Sequence, residues 1–339
     1  MSARVTIALG SVLLMATPAV PVVAVDEGSA VGSFRSAEPL GVARQFHAAA
    51  SLPDGRILIV GGYGLDEDPA VAEAWDPTNG SFLPSGSLAL PRIAHTASAL
   101  PDGRVLVVGG LDETGESAEP TASSELWGPT TGDFGPAGEL LEARRGHTAT
   151  TLPDGRVLVI GGCCSDYFFA LGTAELWDPA TATFSPAGEL ALPRYSHAAV
   201  LLADGRVLVV GGGDEEGIRA GSEVWDPTTL TFEAAGPLLW PRLSHTATLL
   251  ADGRVLVLGG SGEQDLVSVA EVWDPETGVS SPAGELTEPR RQQHTAVRLA
   301  DGRVLVAGGL RDDLTEIAMA EVWDPGLNAL VPAGMLIEA

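Results

Sequence analysis

The hydrophobic pattern of this chain is short and it repeats. Runs such as VLVV (Val105–Val108), VLVI (Val157–Ile160) and VLVL (Val255–Leu258) are each introduced by Arg and closed by Gly-Gly. With every position apolar, such a run predicts a strand buried on both faces. Ahead of it lies a thinner segment of small residues and threonine, HTATLL at His245–Leu250. Between the two stands Pro-Asp-Gly-Arg or Ala-Asp-Gly-Arg, whose Asp-Gly supplies the positive φ values of a tight hairpin. Downstream, AEVWDP predicts a third strand ended by an Asp-Pro turn, and TF-x-PAGEL a fourth. These four strands are labelled a, b, c and d in chain order.

The unit recurs six times. His47, His95, His147, His197, His245 and His294 mark its start at intervals of 48 to 52 residues. The diglycine never fails: Gly61 and Gly62, Gly109 and Gly110, Gly161 and Gly162, Gly211 and Gly212, Gly259 and Gly260, Gly308 and Gly309. Nor do Trp75, Trp127, Trp177, Trp225, Trp273 and Trp323. Both sets are expected to be structural. A lone four-stranded unit cannot bury both faces, so the pattern predicts sheets repeated radially within one domain, residues 33–339. The repeats are expected at about 44–91, 92–143, 144–193, 194–241, 242–290 and 291–339. GSFRSAEPLGVAR (Gly32–Arg44) adds a strand-d text before the first full unit. The chain also ends on one, so there are six a–b–c sets and seven d-like strands.

The diglycine and a pair of aromatics at fixed spacing resemble the kelch repeat. The pairs are Trp75 with Phe82, Trp127 with Phe134, Trp177 with Phe184 and Trp225 with Phe232, seven residues apart each time. Ser280 and Leu330 replace the second member in the last two units. The resemblance implies an all-β, six-bladed kelch β-propeller with four antiparallel strands per blade. It also brings two enzymes into view. Galactose oxidase, a kelch-like enzyme, uses copper with a tyrosine–cysteine crosslink, histidines and further tyrosines. Here only Tyr63, Tyr167 and Tyr195 exist, and no histidine stands outside the repeat register. Kelch sugar mutarotases need little more than an acid and a base, and they are the enzymatic alternative.

Charge narrows the partners. The chain carries 45 acidic residues against 19 basic ones, all arginine, for a net charge of −26. Nucleic acid and anionic membrane surfaces, which require basic patches, are excluded on this ground. Two cysteines cannot staple a scaffold, so a hydrophobic core must hold the fold. The N-terminus reads as an export signal over residues 1–24: Arg4, an apolar run from Val5, and small residues at Val22 and Ala24. A secreted, monomeric protein is expected, and an uncleaved anchor is the alternative reading of the same segment.

The repeated ionisable residues are expected to be structural. Arg44, Arg92, Arg144, Arg194, Arg242 and Arg291 stand three residues before the histidines, and Glu73, Glu125, Glu175, Glu223, Glu271 and Glu321 recur as faithfully. One copy per blade suits Arg–Glu pairing and packing, whereas zinc requires several ligands converging on one point. No metal and no cofactor is expected. Calcium is the only candidate ion, at LDED (Leu65–Asp68) and GDEEG (Gly213–Gly217), and neither has EF-hand spacing.

Function is expected where the repeats diverge. The a–b and c–d turns are nearly constant, but the b–c loops share almost no text and hold 16 acids with only Arg219 and Arg311 in 67 residues. With the d–a connections they form the variable face, on which a carbohydrate or protein ligand is expected. GGCCSDYFFALG (Gly161–Gly172) stands out there. The candidate contact residues are Cys163, Cys164, Asp166, Tyr167, Phe168 and Phe169, with Trp240 in the d–a connection LLWPR. Adjacent cysteines have Cα atoms only about 3.8 Å apart, so a Cys163–Cys164 bridge would be strained.

Overall fold

The computed structural model describes residues 5–7, 23–25, 34, 38–64, 70–112, 119–164, 169–289, 294–313 and 315–336. Among them there is no helix, and six antiparallel sheets have four strands each. Sheet three shows the plan: strand a Thr148–Thr151, b Val157–Ile160, c Thr173–Asp178 and d Thr183–Glu189, hydrogen-bonded in the order a–b–c–d. The expected assignment of strands to text holds in every repeat. Strand b is buried at each position in all six sheets, as an all-apolar run requires. The C-terminal strand Ala329–Met335 is strand d of sheet six, so the spare d-like text is GSFRSAEPLGVAR, Gly32–Arg44.

Consecutive sheets touch along their strands a, from sheet one through sheet six. Between them lie shared cores. Leu158 and Ile160 of sheet three, for example, pack with Val207, Val209 and Trp225 of sheet four. Trp225 then donates from Nε1 to the Ala187 carbonyl of the preceding sheet at 2.8 Å, and Trp127, Trp177, Trp273 and Trp323 repeat this bond. The tryptophan is invariant because it both fills the space between sheets and ties one backbone to the next.

The diglycine exists for close approach. Gly161 and Gly162 have φ of 59° and 96°, and a Cβ on Gly161 would lie 2.6 Å from the Arg194 carbonyl oxygen. A Cβ on Gly162 would lie 2.6 Å from the Arg145 carbonyl oxygen. No side chain fits between these backbones. The second glycine is left-handed in the other five repeats as well, with φ of 102° at Gly62, 97° at Gly110, 89° at Gly212, 95° at Gly260 and 101° at Gly309. At four of these a Cβ would again press on the carbonyl oxygen of the incoming connection: Gly62 on Gln45, Gly110 on Ile93, Gly212 on Tyr195 and Gly260 on Leu243, at 2.7, 2.5, 2.8 and 2.6 Å.

The two ends of the molecule differ as expected. A Cβ at Gly155 of an a–b turn would touch Pro179 of a c–d turn, so the constant turns share one end. At the other end the arginines of the five described d–a connections, Arg44, Arg92, Arg144, Arg194 and Arg242, reach the close of strand b and the start of strand c. The described N-terminal residues form a small antiparallel ladder, Val5–Ile7 with Val23–Val25.

Candidate functional site

The variable end rests on a buried ionic frame. Arg144 donates to the Gly161 and Thr173 carbonyls at 2.9 and 3.0 Å and pairs with Glu175 at 2.7 Å. Glu175 in turn accepts the backbone N–H groups of Leu141 and Glu142 in the incoming connection. The same arrangement joins Arg44 to Glu73, Arg92 to Glu125, Arg194 to Glu223 and Arg242 to Glu271. Burial lowers the affinity of Arg92, Arg144, Arg194 and Arg242 for their protons, and the paired glutamate opposes it. Every charge in these pairs is matched and hydrogen-bonded, so the frame fixes geometry and offers nothing to a ligand. The sixth arginine, Arg291, lies outside the described residues.

The histidines are equally committed. His95 is buried against Gly61 and hydrogen-bonds the Val60 carbonyl at 3.1 Å, while His147 and His197 meet Thr96 and Thr148 of the preceding sheets. Burial, reinforced by the neighbouring arginine, pushes His95 and His197 down to about 3 and His147 and His245 well below the usual imidazole range. These are neutral packing groups. Among the described residues no cluster of three or more His, Cys, Asp or Glu is arranged to hold a metal.

Above the frame the residue after each arginine pairs with the first residue of the b–c loop: Gln45 with Tyr63, Ile93 with Leu111, Arg145 with Cys163, Tyr195 with Gly213, Leu243 with Ser261. The next residue has a left-handed backbone at Phe46, Ala94, Gly146, Ser196 and Ser244. Three of their amides link successive sheets: Gly146 N–H donates to the Ala94 carbonyl, Ser196 to Gly146, and Ser244 to Ser196, at 3.2, 3.2 and 2.8 Å. This makes a backbone belt under the loops. Sequence reasoning missed it. The signal was present in RQFH, RIAH, RRGH, RYSH and RLSH, where two changing positions sit inside otherwise constant text.

Loop three is where the structure can be compared with the expected contact residues. Cys163 is buried, 3% exposed, and bridges Arg145 on one side and Ala170 on the other. Both cysteines are free thiols, and burial raises the pKa of Cys163, so it is a packing residue at the loop's root. Cys164 is half-buried, with its amide on the Phe169 carbonyl. Phe169 is 56% exposed. Asp166, Tyr167 and Phe168 lie outside the described residues, as does the LDED candidate at 65–68.

A neighbour completes the surface. Glu215 of loop four accepts the Ala170 N–H at 2.7 Å and so couples the two loops. Asp214, the root of the GDEEG candidate, is occupied by Arg219, which also meets Glu216 at 2.9 Å. Arg219 therefore spans the Asp214 and Glu216 carboxylates of GDEEG from within the chain and offsets one of their two charges. Trp240 sits in the connection from sheet four to sheet five. It is half-buried with its amide on Glu271, beside Leu239, which is exposed. Leu141 and Leu192 are exposed in the two preceding connections.

No protein-family profile matches the chain, and no curated protein matches it. Solved structures do. YjhT is similar over 86% of this chain and 98% of its own, with a TM-score of 0.70 and 15% identity. A fungal alcohol oxidase of the AA5 family, solved in complex with copper, has a TM-score of 0.70 and 18% identity. The match covers 86% of this chain but under two thirds, 63%, of that protein. The copper belongs to the oxidase. Here five of the six histidines are buried, His47 is half-buried at the matching repeat position, and the three tyrosines are scattered over different repeats, so the residues do not fit such a centre. Sheets of four antiparallel strands in succession, the diglycine and tryptophan repeats, and these neighbours agree: the chain has the fold of the kelch and galactose oxidase-like β-propellers.

Proposed function

We propose that this protein is a binding propeller whose variable face takes a carbohydrate or protein ligand, without chemistry of its own. One observation carries the reading: the repeated glutamates, arginines and histidines are spent on the fold, and exposed apolar and aromatic side chains stand among the acidic loop residues at this end. Phe169, Leu141, Leu192 and Leu239 are exposed there, and Trp240 is half-covered among them. Aromatic residues beside polar loops supply contact area at low entropic cost. The acidic surface favours neutral or cationic partners over anionic ones.

The test is a glycan array and a protein-interaction screen run with the native chain and with the Phe169→Ala, Trp240→Ala double variant. A hit that weakens at least about tenfold in the double variant, with melting unchanged, supports the proposal. Binding indifferent to both substitutions removes this face from consideration. Acceleration of sugar ring-opening by the native chain would instead establish the mutarotase-like alternative.

A further inference from the structure

Five of the six outer edges carry a proline, and sheet four is the exception. Strand d is the last strand of every sheet, so one side of its backbone is left unpaired. Pro84, Pro136, Pro186, Pro282 and Pro332 stand on these strands opposite Glu73, Glu125, Glu175, Glu271 and Glu321 of strand c. In sheet four the residue opposite Glu223 is Ala234. The five proline-bearing ladders also shift register beside that pair. The ladder of sheet four, Ser222–Asp226 with Thr231–Ala234, has no such shift. Proline and bulges make an edge strand unfit for further pairing, and this edge has neither.

The alternation of hydrogen bonds in an antiparallel ladder fixes which groups are free. Ala235 donates its N–H to the Ser222 carbonyl at 3.0 Å, so Glu233 and Thr231 also bond toward strand c. The N–H and C=O groups of Phe232 and Ala234 then face outward. Two outward N–H groups two residues apart have the spacing at which an added strand bonds. The other five edges offer only the first, because proline has no N–H. Thr231, Glu233 and Ala234 are exposed.

Glu233 decides the partner. The matching positions on the other strands d are Leu83, Gly135, Ser185, Ser281 and Val331, so this edge alone has a carboxylate there. The c–d turn of sheet five, which carries Glu276, adjoins the strand: a Cβ at Gly278 would lie 3.2 Å from the Ala235 carbonyl oxygen. A second copy bonded antiparallel to Phe232 and Ala234 about a two-fold axis would set Glu233 opposite Glu233. Like charges directly opposite destabilise a ladder, and the net charge of −26 adds to the repulsion. A lysine or arginine at that place is complementary.

We propose that the outer edge of sheet four, Thr231–Ala234, is a docking site for an extended basic segment of another protein, which adds a strand with lysine or arginine opposite Glu233. The site lies on the rim of the molecule and is independent of the variable face.

The probes are a short blocked peptide alternating threonine and valine about a central lysine, and the same peptide with glutamate at its centre. Excess lysine peptide is expected to slow hydrogen exchange at the Phe232 and Ala234 amides at least about tenfold, and the glutamate peptide to leave them unchanged. Ala234→Pro keeps the native charge and installs the residue the other five strands carry. It is expected to weaken binding of the lysine peptide at least about tenfold, with melting unchanged. Glu233→Lys is expected to reverse the preference between the two peptides. Exchange that responds to neither peptide, or to both alike, overturns the proposal. So does full binding by Ala234→Pro, which would show attraction by net charge alone. If Ala234→Pro does not fold, Glu233→Lys decides, and an unchanged preference overturns the site. Protection of both amides in the free chain that is lost on dilution would place a second copy there and overturn it as well.

Discussion

Glycine, tryptophan and the Arg–Glu pair carry this fold at the scale of single residues. Gly161→Ala puts a Cβ 2.6 Å from a carbonyl oxygen at a φ of 59°, so a loss of roughly 3 kcal/mol is expected in chemical denaturation. Removing one partner of a buried pair is costlier than removing both. Glu175→Ala strands the Arg144 guanidinium and two connection amides and is expected to cost about 3–5 kcal/mol. The histidines set the acid limit. His95 and His197 titrate near 3 in the folded protein, below the unfolded value of about 6.5, so the unfolded chain binds protons first. Their stabilisation is complete above about pH 6.5 and is lost as pH falls toward 3. Thermal melts should therefore fall from about pH 6 downward, and a flat profile to pH 4 would contradict neutral, buried imidazoles.

At the scale of elements, strands were legible and loops were not. An all-apolar run between Arg and Gly-Gly has one reading, and every strand b sits where that text occurs. The a–b turns were equally plain, since Asp-Gly-Arg closes on itself with Arg156 on Asp154 at 2.7 Å. Loop three resisted because its aromatics answer to no repeat. Sequence alone placed Cys163 beside Phe169 in one contact surface, whereas the structure turns the first inward and the second outward. The coupling of loops three and four through Glu215 joins residues 45 positions apart, which no local pattern reports. Glu215→Ala breaks one exposed bond, so it should leave stability within about 0.5 kcal/mol. It should nevertheless raise hydrogen exchange at Ala170, and an unaltered Ala170 amide would mean the two loops are independent.

The whole molecule is a highly acidic body held together by internal neutrality. Its net charge of −26 is a surface property, because the buried ions come in matched pairs. Self-repulsion of that surface weakens the compact state, and salt screens it. Melting temperature should rise between roughly 10 mM and about 0.5 M sodium chloride; a fall would show that exposed ion pairs such as Arg254–Asp252 matter more than the net charge.

The belt of left-handed residues has its own consequence. Hydrogen bonds usually run between strands, along the direction in which a sheet bends easily, but these pass from Ala94 to Gly146 to Ser196 to Ser244 across successive sheets. They act like the hoop of a barrel, resisting any change of girth. Because three of its four positions carry a side chain in a backbone region that costs about 1 kcal/mol or more, the run is preserved against its own strain. The spacing of these four connections is therefore held by backbone, independently of which side chains the repeats carry there. Divergence between repeats is then confined to the loops standing above that run.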